Sequence, residues 1–161
     1  MIRIGYGWDL HRLEEGRSLI LGGVHVPSEK GLAGHSDADV LVHAIIDALL
    51  GSLALGNIGQ HFPDTDDRFR DADSVQLLRD TMAMVREAGY KLGNLDSTIV
   101  AEAPKLNPHL DAIRENLTRP LGARAEDISI KAKTGERVGP EGRGEAISAH
   151  AAVLVVRRQD E

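Results

Sequence analysis

The chain has no cysteine in its 161 residues. That excludes disulfides, thiolate zinc sites and a thiol nucleophile, and it suits a reducing compartment. A metal, if there is one, must be held by His, Asp or Glu. Aromatic residues are 3% of the chain, no basic run exceeds Arg157-Arg158, and the formal net charge is -6. Nucleic acid and anionic membranes are gripped by clustered cations, so neither partner is expected. Long apolar runs are missing too. The longest, Ala151 to Val156, is far too short to span a bilayer, and Met1-Ile2-Arg3-Ile4-Gly5 enters a strand pattern with no apolar signal core. A single domain over residues 1–161, working in the cytoplasm, is expected.

What is present alternates between strand and helix patterns. Ile2 to Trp8, Ser18 to Leu21 and Val24 to Val26 read as strands, the last two joined by a tight turn at Gly22-Gly23. The spacing predicts a helix from Asp37 to about Leu53, with Ser36 and Asp39 as its capping box. A long Asp-rich loop, Gly59 to Asp73, precedes an amphipathic helix from Ser74 to Ala88. Leu95 to Ala101 is a strand candidate, His109 to Leu121 a third helix, and Ile128 to Lys133 and Ala146 to Val156 close the set. The expected class is α+β: a mixed four-stranded sheet with three helices packed on one face, plus a short hairpin.

Chemistry is concentrated in a few segments. On an extended strand Asp9 and His11 share a face, so both could grip one ion, with His43 as third ligand. Two imidazoles and a carboxylate suit zinc or a similar ion and leave a fourth position open, as in catalytic sites. Asp39, His43 and Asp47 fall on one stripe of the first helix, so either carboxylate could accept a ring N–H from His43. His35-Ser36 stands at the expected helix start, where amides can bind phosphate provided a cation offsets Asp37 and Asp39. Lys133, Thr134 and Glu136 could clamp a diphosphate, Glu136 through a hard cation, and Arg143 is a further anion candidate. Asp64 and Asp66 could recognise polyol hydroxyls, and Ala101 to Asn107 could hold a base through backbone groups. Each segment alone also has an ordinary structural reading as a cap, a turn or a core histidine.

Together, Asp9-Leu10-His11, His35-Ser36-Asp37-Ala38-Asp39, His43, Phe62-Pro63-Asp64-Thr65-Asp66, Ala103-Pro104-Lys105-Leu106, Lys131-Ala132 with Thr134 and Glu136, and Gly142-Arg143-Gly144-Glu145 resemble the 2-C-methyl-D-erythritol 2,4-cyclodiphosphate synthase family of the non-mevalonate isoprenoid pathway. The resemblance covers nearly the whole chain. It implies a homotrimer with active sites between subunits, and a substrate that is a cytidine diphosphate ester of methylerythritol carrying a second phosphate. It further implies zinc (or manganese) at Asp9, His11 and His43, and magnesium or manganese at Glu136 beside the diphosphate. His35 and Thr134 would be catalytic, with Ser36 on the phosphate and erythritol part. Asn57, Ile58, Gly59 and the loop Phe62, Pro63, Asp64, Thr65 and Asp66 would face the polyol. Ala101, Pro104, Lys105, Leu106, Asn107, Ala132, Lys133 and Arg143 would take the cytidine diphosphate and its charge.

Asn57, Lys133, Gly135 and Pro140 depart from the family's usual residues. Two other functions remain open to the same residues: a zinc-dependent phosphoester hydrolase, and a non-catalytic trimeric module tied by its metal.

Overall fold

The computed structural model describes residues 1–159. Along the chain run β1 (Ile2–Glu15), β2 (Leu19–Leu21), β3 (Val24–Val26), β4 (Lys30–Leu32), α1 (Val40–Ser52), the one-turn α2 (Ile58–His61), α3 (Ser74–Glu87), β5 (Tyr90–Val100), α4 (Leu110–Leu121), β6 (Ile128–Lys133), the one-turn α5 (Gly139–Gly142) and β7 (Ala146–Arg157). The main sheet has five strands in the order β4-β1-β7-β5-β6, and β2 and β3 form a separate hairpin. Only β5 and β6 run parallel, so the sheet is mixed and the class is α+β.

The sheet therefore has one strand more than the sequence predicts. The extra one is β4, whose three residues pair Leu13 with Leu32 through Glu15 with Lys30. A run of three is too short to show a period of two. β5 begins at Tyr90 rather than Leu95 because its register shifts between Leu92 and Asn94, and a bulge there breaks the alternation that marks a strand.

The helix expected from Asp37 starts instead at Val40, capped by Asp39, which accepts the Val42 amide. The residues before it make a tight turn in which Ser36 accepts the Ala38 amide and Asp37 the Asp39 amide. Ser36 is thus no helix cap, and Asp37 lies outside the first turn. The loop from Gly59 also holds an unforeseen element, α2, closed by a capping box in which Asn57 and Gln60 exchange amide hydrogen bonds.

α1 is the centre of the core: every residue except Asp47 and Gly51 is buried. It lies across β1 and β7, and Gly5 and Gly7 make this possible. A Cβ on either glycine would run into the carbonyl oxygen of Ala48 or Ala44, so the strand and helix backbones meet with no side chain between them. The odd residues of β1 face this helix. The even ones, Ile2, Ile4, Tyr6 and Trp8, point from the other face and are between 51% and 76% exposed. They form a row of exposed, largely apolar side chains on the open face of the sheet.

Candidate metal centre and active site

Asp39, the cap of α1, and His43 and Asp47 within it each tie down a different segment. Asp39, fully buried, accepts the amides of Gly22 at 3.0 Å and Gly23 at 2.7 Å, which fixes the β2–β3 turn to the helix start. Asp47 accepts the Ile58 amide at 2.7 Å and anchors α2. His43, between them, reaches β1. Neither carboxylate touches its ring, so the partner expected on the same stripe is absent. His43 Nε2 lies instead 2.9 Å from Ser74 Oγ and 3.1 Å from Ser36 Oγ.

Asp9 and His11 lie one pleat apart on the helix-facing side of β1. Asp9 Oδ2 is 2.9 Å from His11 Nε2 and 3.0 Å from His43 Nδ1, and the two ring nitrogens are 3.1 Å apart. His11 Nδ1 is 2.8 Å from the Ala33 carbonyl oxygen, which only accepts, so this nitrogen carries the proton and Nε2 offers a lone pair. With both imidazoles neutral, three lone pairs would meet at one point. That arrangement asks for a cation, and the separations approach the roughly 3.3 Å edge of a tetrahedron with ligand bonds of about 2.0–2.1 Å. Asp9, His11 and His43 can hold a metal ion.

The electrostatics agree. Burial acts to raise the Asp9 carboxyl, but hydrogen bonds to His11 and His43 and their charge outweigh it and hold it well below the usual carboxylate range. Burial lowers His11, yet the hydrogen bond and charge of Asp9 leave it above its ordinary value. Burial pushes Asp39 up to about 6 against the amides that favour its charged form. Asp47 is raised by burial too, partly offset by the Ile58 amide.

The three ligands open into a cavity of about 400 Å³ whose wall also includes His35, Ser36, Ile58, Gly59, Phe62 and Asp64. Gly34, Phe69 and Leu77 complete it, none of them singled out by sequence. Phe69 packs edge to face on Phe62, and Gly34 is placed where a Cβ would crowd the His11 ring. The amides of residues 37, 38 and 39 are spent on Ala72, Ser36 and Asp37. His35-Ser36 therefore faces the cavity with side chains rather than with helix-terminal N–H groups.

Other expected residues lie elsewhere. Asn57 is committed to capping α2. Asp66 caps the turn after Pro63 and Thr65 and is paired with Arg68 at 2.6 Å. Pro104 and Arg143 line a second cavity of about 470 Å³ with Leu13 and Ser28 to Lys30, and Arg143 is paired with Glu145 at 2.8 Å. Leu106 is buried beside the exposed Lys105 and Asn107. Ala132 and Lys133 end β6, and the Thr134 hydroxyl lies 3.4 Å from the Glu136 carboxylate.

One row of the sheet gives the distance between these two groups. Asp9 pairs with Ala149, Ala149 with Ile99, and Ile99 with Ala132. Three strand spacings separate Asp9 from Ala132, roughly 14 Å. None of residues 101–107 or 132–136 lines the cavity at the metal ligands of the same chain.

The YgbB family model matches residues 2–156. The chain belongs to the YgbB family. It is 59% identical over 157 residues to the 2-C-methyl-D-erythritol 2,4-cyclodiphosphate synthase of Geobacter metallireducens, covering 98% of this chain and 100% of that one. A solved 2C-methyl-D-erythritol-2,4-cyclodiphosphate synthase in its CDP-bound form is similar at TM-score 0.89 and 42% identity, over 96% of this chain and 100% of that one. The bifunctional IspDF of Campylobacter jejuni is similar at TM-score 0.95 and 38% identity over 99% of this chain, which spans 43% of that longer protein. Among the described residues, no helix is long and apolar enough to cross a membrane.

Proposed function

We propose that the chain, as a single domain over residues 1–161, converts 4-diphosphocytidyl-2-C-methyl-D-erythritol 2-phosphate to 2-C-methyl-D-erythritol 2,4-cyclodiphosphate and CMP in the cytoplasm, within non-mevalonate isoprenoid synthesis. An oxygen of the 2-phosphate attacks the β-phosphorus of the diphosphate ester. The bond from that phosphorus to the bridging oxygen breaks, and CMP leaves with the electron pair. The observation that carries this reading is the meeting of Asp9, His11 and His43 at a cavity lined by His35, Ser36 and Asp64. Membership of a family whose relatives are named for this product supports it.

The nucleophile is already ionised at neutral pH, so no residue has to deprotonate it. The work is to hold two anionic groups in line, and such alignment is worth up to about 7–11 kcal/mol. His35 and Ser36 donate to phosphate oxygens, and Asp64 accepts from a polyol hydroxyl. Ile58, Gly59 and the Phe62–Phe69 pair wall the folded chain of the substrate off from water. Ala101, Pro104, Lys105, Leu106, Asn107 and Ala132 frame the cytidine, while Lys133 and Thr134 meet the charge that develops on the leaving phosphate. Asp9, His11 and His43 would hold zinc or manganese, and Glu136 magnesium or manganese, and ions there would neutralise the phosphates and make the β-phosphorus more electrophilic.

We infer that a second copy of the chain completes the site, since residues 101–107 and 132–136 line no part of the metal cavity of their own chain. A nucleotide held by residues 101–107 and 132–136 of one copy reaches the metal ligands of another when the copies close into a ring. We read that ring as a homotrimer, with the exposed apolar row of β1 buried around its axis. Incubation with the cytidylylated 2-phosphate and identification of products by mass tests the function. The cyclic diphosphate with CMP is expected. Inorganic phosphate or open-chain products would point to a zinc phosphoester hydrolase, and no turnover with no CMP binding to a metal-tied module.

A further inference from the structure

The two nitrogens of His43 have opposite tasks. Nδ1 faces Asp9 and His11 at 3.0 and 3.1 Å and must present a lone pair to bind a metal. Nε2 faces Ser74 Oγ at 2.9 Å, inside the protein, where Ser74 is 0% exposed. The Ser74 hydroxyl is also bonded to Asp37, whose other oxygen accepts the Ser74 amide at 3.0 Å. A carboxylate only accepts, and a hydroxyl has one hydrogen to give. Ser74 gives it to Asp37 and is left able only to accept from His43. The imidazole proton is thereby drawn to Nε2 and kept away from Nδ1.

The other neighbour of Nε2 does not make this choice. Ser36 Oγ, at 3.1 Å, accepts the Ala38 amide and keeps a hydroxyl hydrogen free to turn either way. The direction of the chain from His43 through Ser74 is set by the carboxylate at its end. We propose that Asp37 and Ser74 are positioning residues that fix the tautomer of His43 and so hold its metal-binding nitrogen ready. The inference rests on the metal reading of Asp9, His11 and His43. It ties the site to α3, since Ser74 is that helix's first residue and Asp37 also donates its amide to Ala72 just before it.

Asp37→Asn removes one of the two acceptors. One Asp37 oxygen accepts both the Asp39 amide at 3.1 Å and the Ser74 hydroxyl, and the other accepts the Ser74 amide at 3.0 Å. A single amide oxygen cannot serve both sides, and when it takes the Ser74 N–H its NH2 faces Ser74 Oγ. The Ser74 hydrogen is then free to turn to His43 Nε2, which lets the imidazole proton move to Nδ1, pointing into the metal centre.

Two measurements on the full-length protein decide the matter. Zinc affinity, from competition with a chromophoric chelator, is expected to fall about 10–100-fold in Asp37→Asn. Nitrogen NMR of the metal-free protein is expected to show His43 shifting in Asp37→Asn from the Nε2–H form toward a mixture with the Nδ1–H form. Ser74→Ala should weaken zinc and give a mixture of tautomers, and Asp37→Asn should add little on top of it, because its effect passes through the hydroxyl. If Asp37→Asn does not fold, the two Ser74→Ala readings decide alone. Unchanged zinc affinity with His43 still in the Nε2–H form in the variants overturns the inference. Failure of the unaltered protein to bind zinc would instead strike the metal reading, while the metal-free tautomers still report on Asp37 and Ser74.

Discussion

Gly7 lies directly beneath Ala44, so close that a Cβ on the glycine would collide with the Ala44 carbonyl oxygen. Ala44 is the residue after His43, and Gly7 comes two before Asp9. The contact therefore sets the distance between the helix that carries one metal ligand and the strand that carries the other two. Gly7→Ala is expected to push α1 outward, costing about 1–3 kcal/mol or more of stability and weakening zinc binding with it. Chemical denaturation and a zinc titration on the same sample check this. Lost stability with unchanged zinc affinity would show that the glycine serves packing alone.

His43→Ala leaves two ligands and is expected to abolish zinc binding and turnover together. Saturating zinc at about 100 times its Kd should stabilise the unaltered protein by about 2.7 kcal/mol and leave the variant's melting temperature unmoved. Because Asp9 holds the metal-free His11 proton more firmly than usual, zinc must displace that proton. Its affinity should weaken as pH falls through the range where His11 protonates.

Asp39→Asn removes a titrating group from the core. In the folded chain burial pushes Asp39 up to about 6 from an ordinary 3.8, so the fold holds this proton more tightly than the unfolded chain does. The resulting contribution to stability is full below about pH 4 and is lost as pH rises through 6. Between pH 4 and 7 the unaltered protein should lose about 2–3 kcal/mol relative to Asp39→Asn in urea unfolding. A difference that stays flat, or grows in the other direction, would contradict this.

Ile4→Glu places a charge in the exposed apolar row of β1. Light scattering should then report a smaller assembly, with zinc still bound and turnover lost, since in the proposed ring the ligands come from one chain and the nucleotide segments from another. Full activity in a monomer would remove the need for a second copy.

Glu136→Gln is expected to keep zinc but raise the magnesium concentration needed for half-maximal turnover. A magnesium titration that superposes on that of the unaltered protein would release Glu136 from its proposed role.

Much of the fold was legible because its signals are local. The alternation in β1 puts Asp9 and His11 on one face, the apolar run of α1 marks it as central, and Gly22-Gly23 marks the hairpin. β4 was not legible, being three residues with no room for a period, and the bulge at Leu92 to Asn94 hid the first half of β5. Helix spacing offered only Asp39 and Asp47 as partners for His43, whereas Ser74 lies 31 residues away on another helix. No spacing rule reaches that far. Asp37 looked like an unfavourable charge near a phosphate until Ser74 gave it a partner.

The most direct test of the central claim is a crystal structure of the protein with zinc and CMP, with data collected at the zinc absorption edge. Expected is anomalous density between Asp9, His11 and His43, and a cytidine bound by residues 101–107 and 132–134 of a neighbouring copy. Zinc held by other residues, or a cytidine bound entirely within the chain that holds the metal, would contradict it.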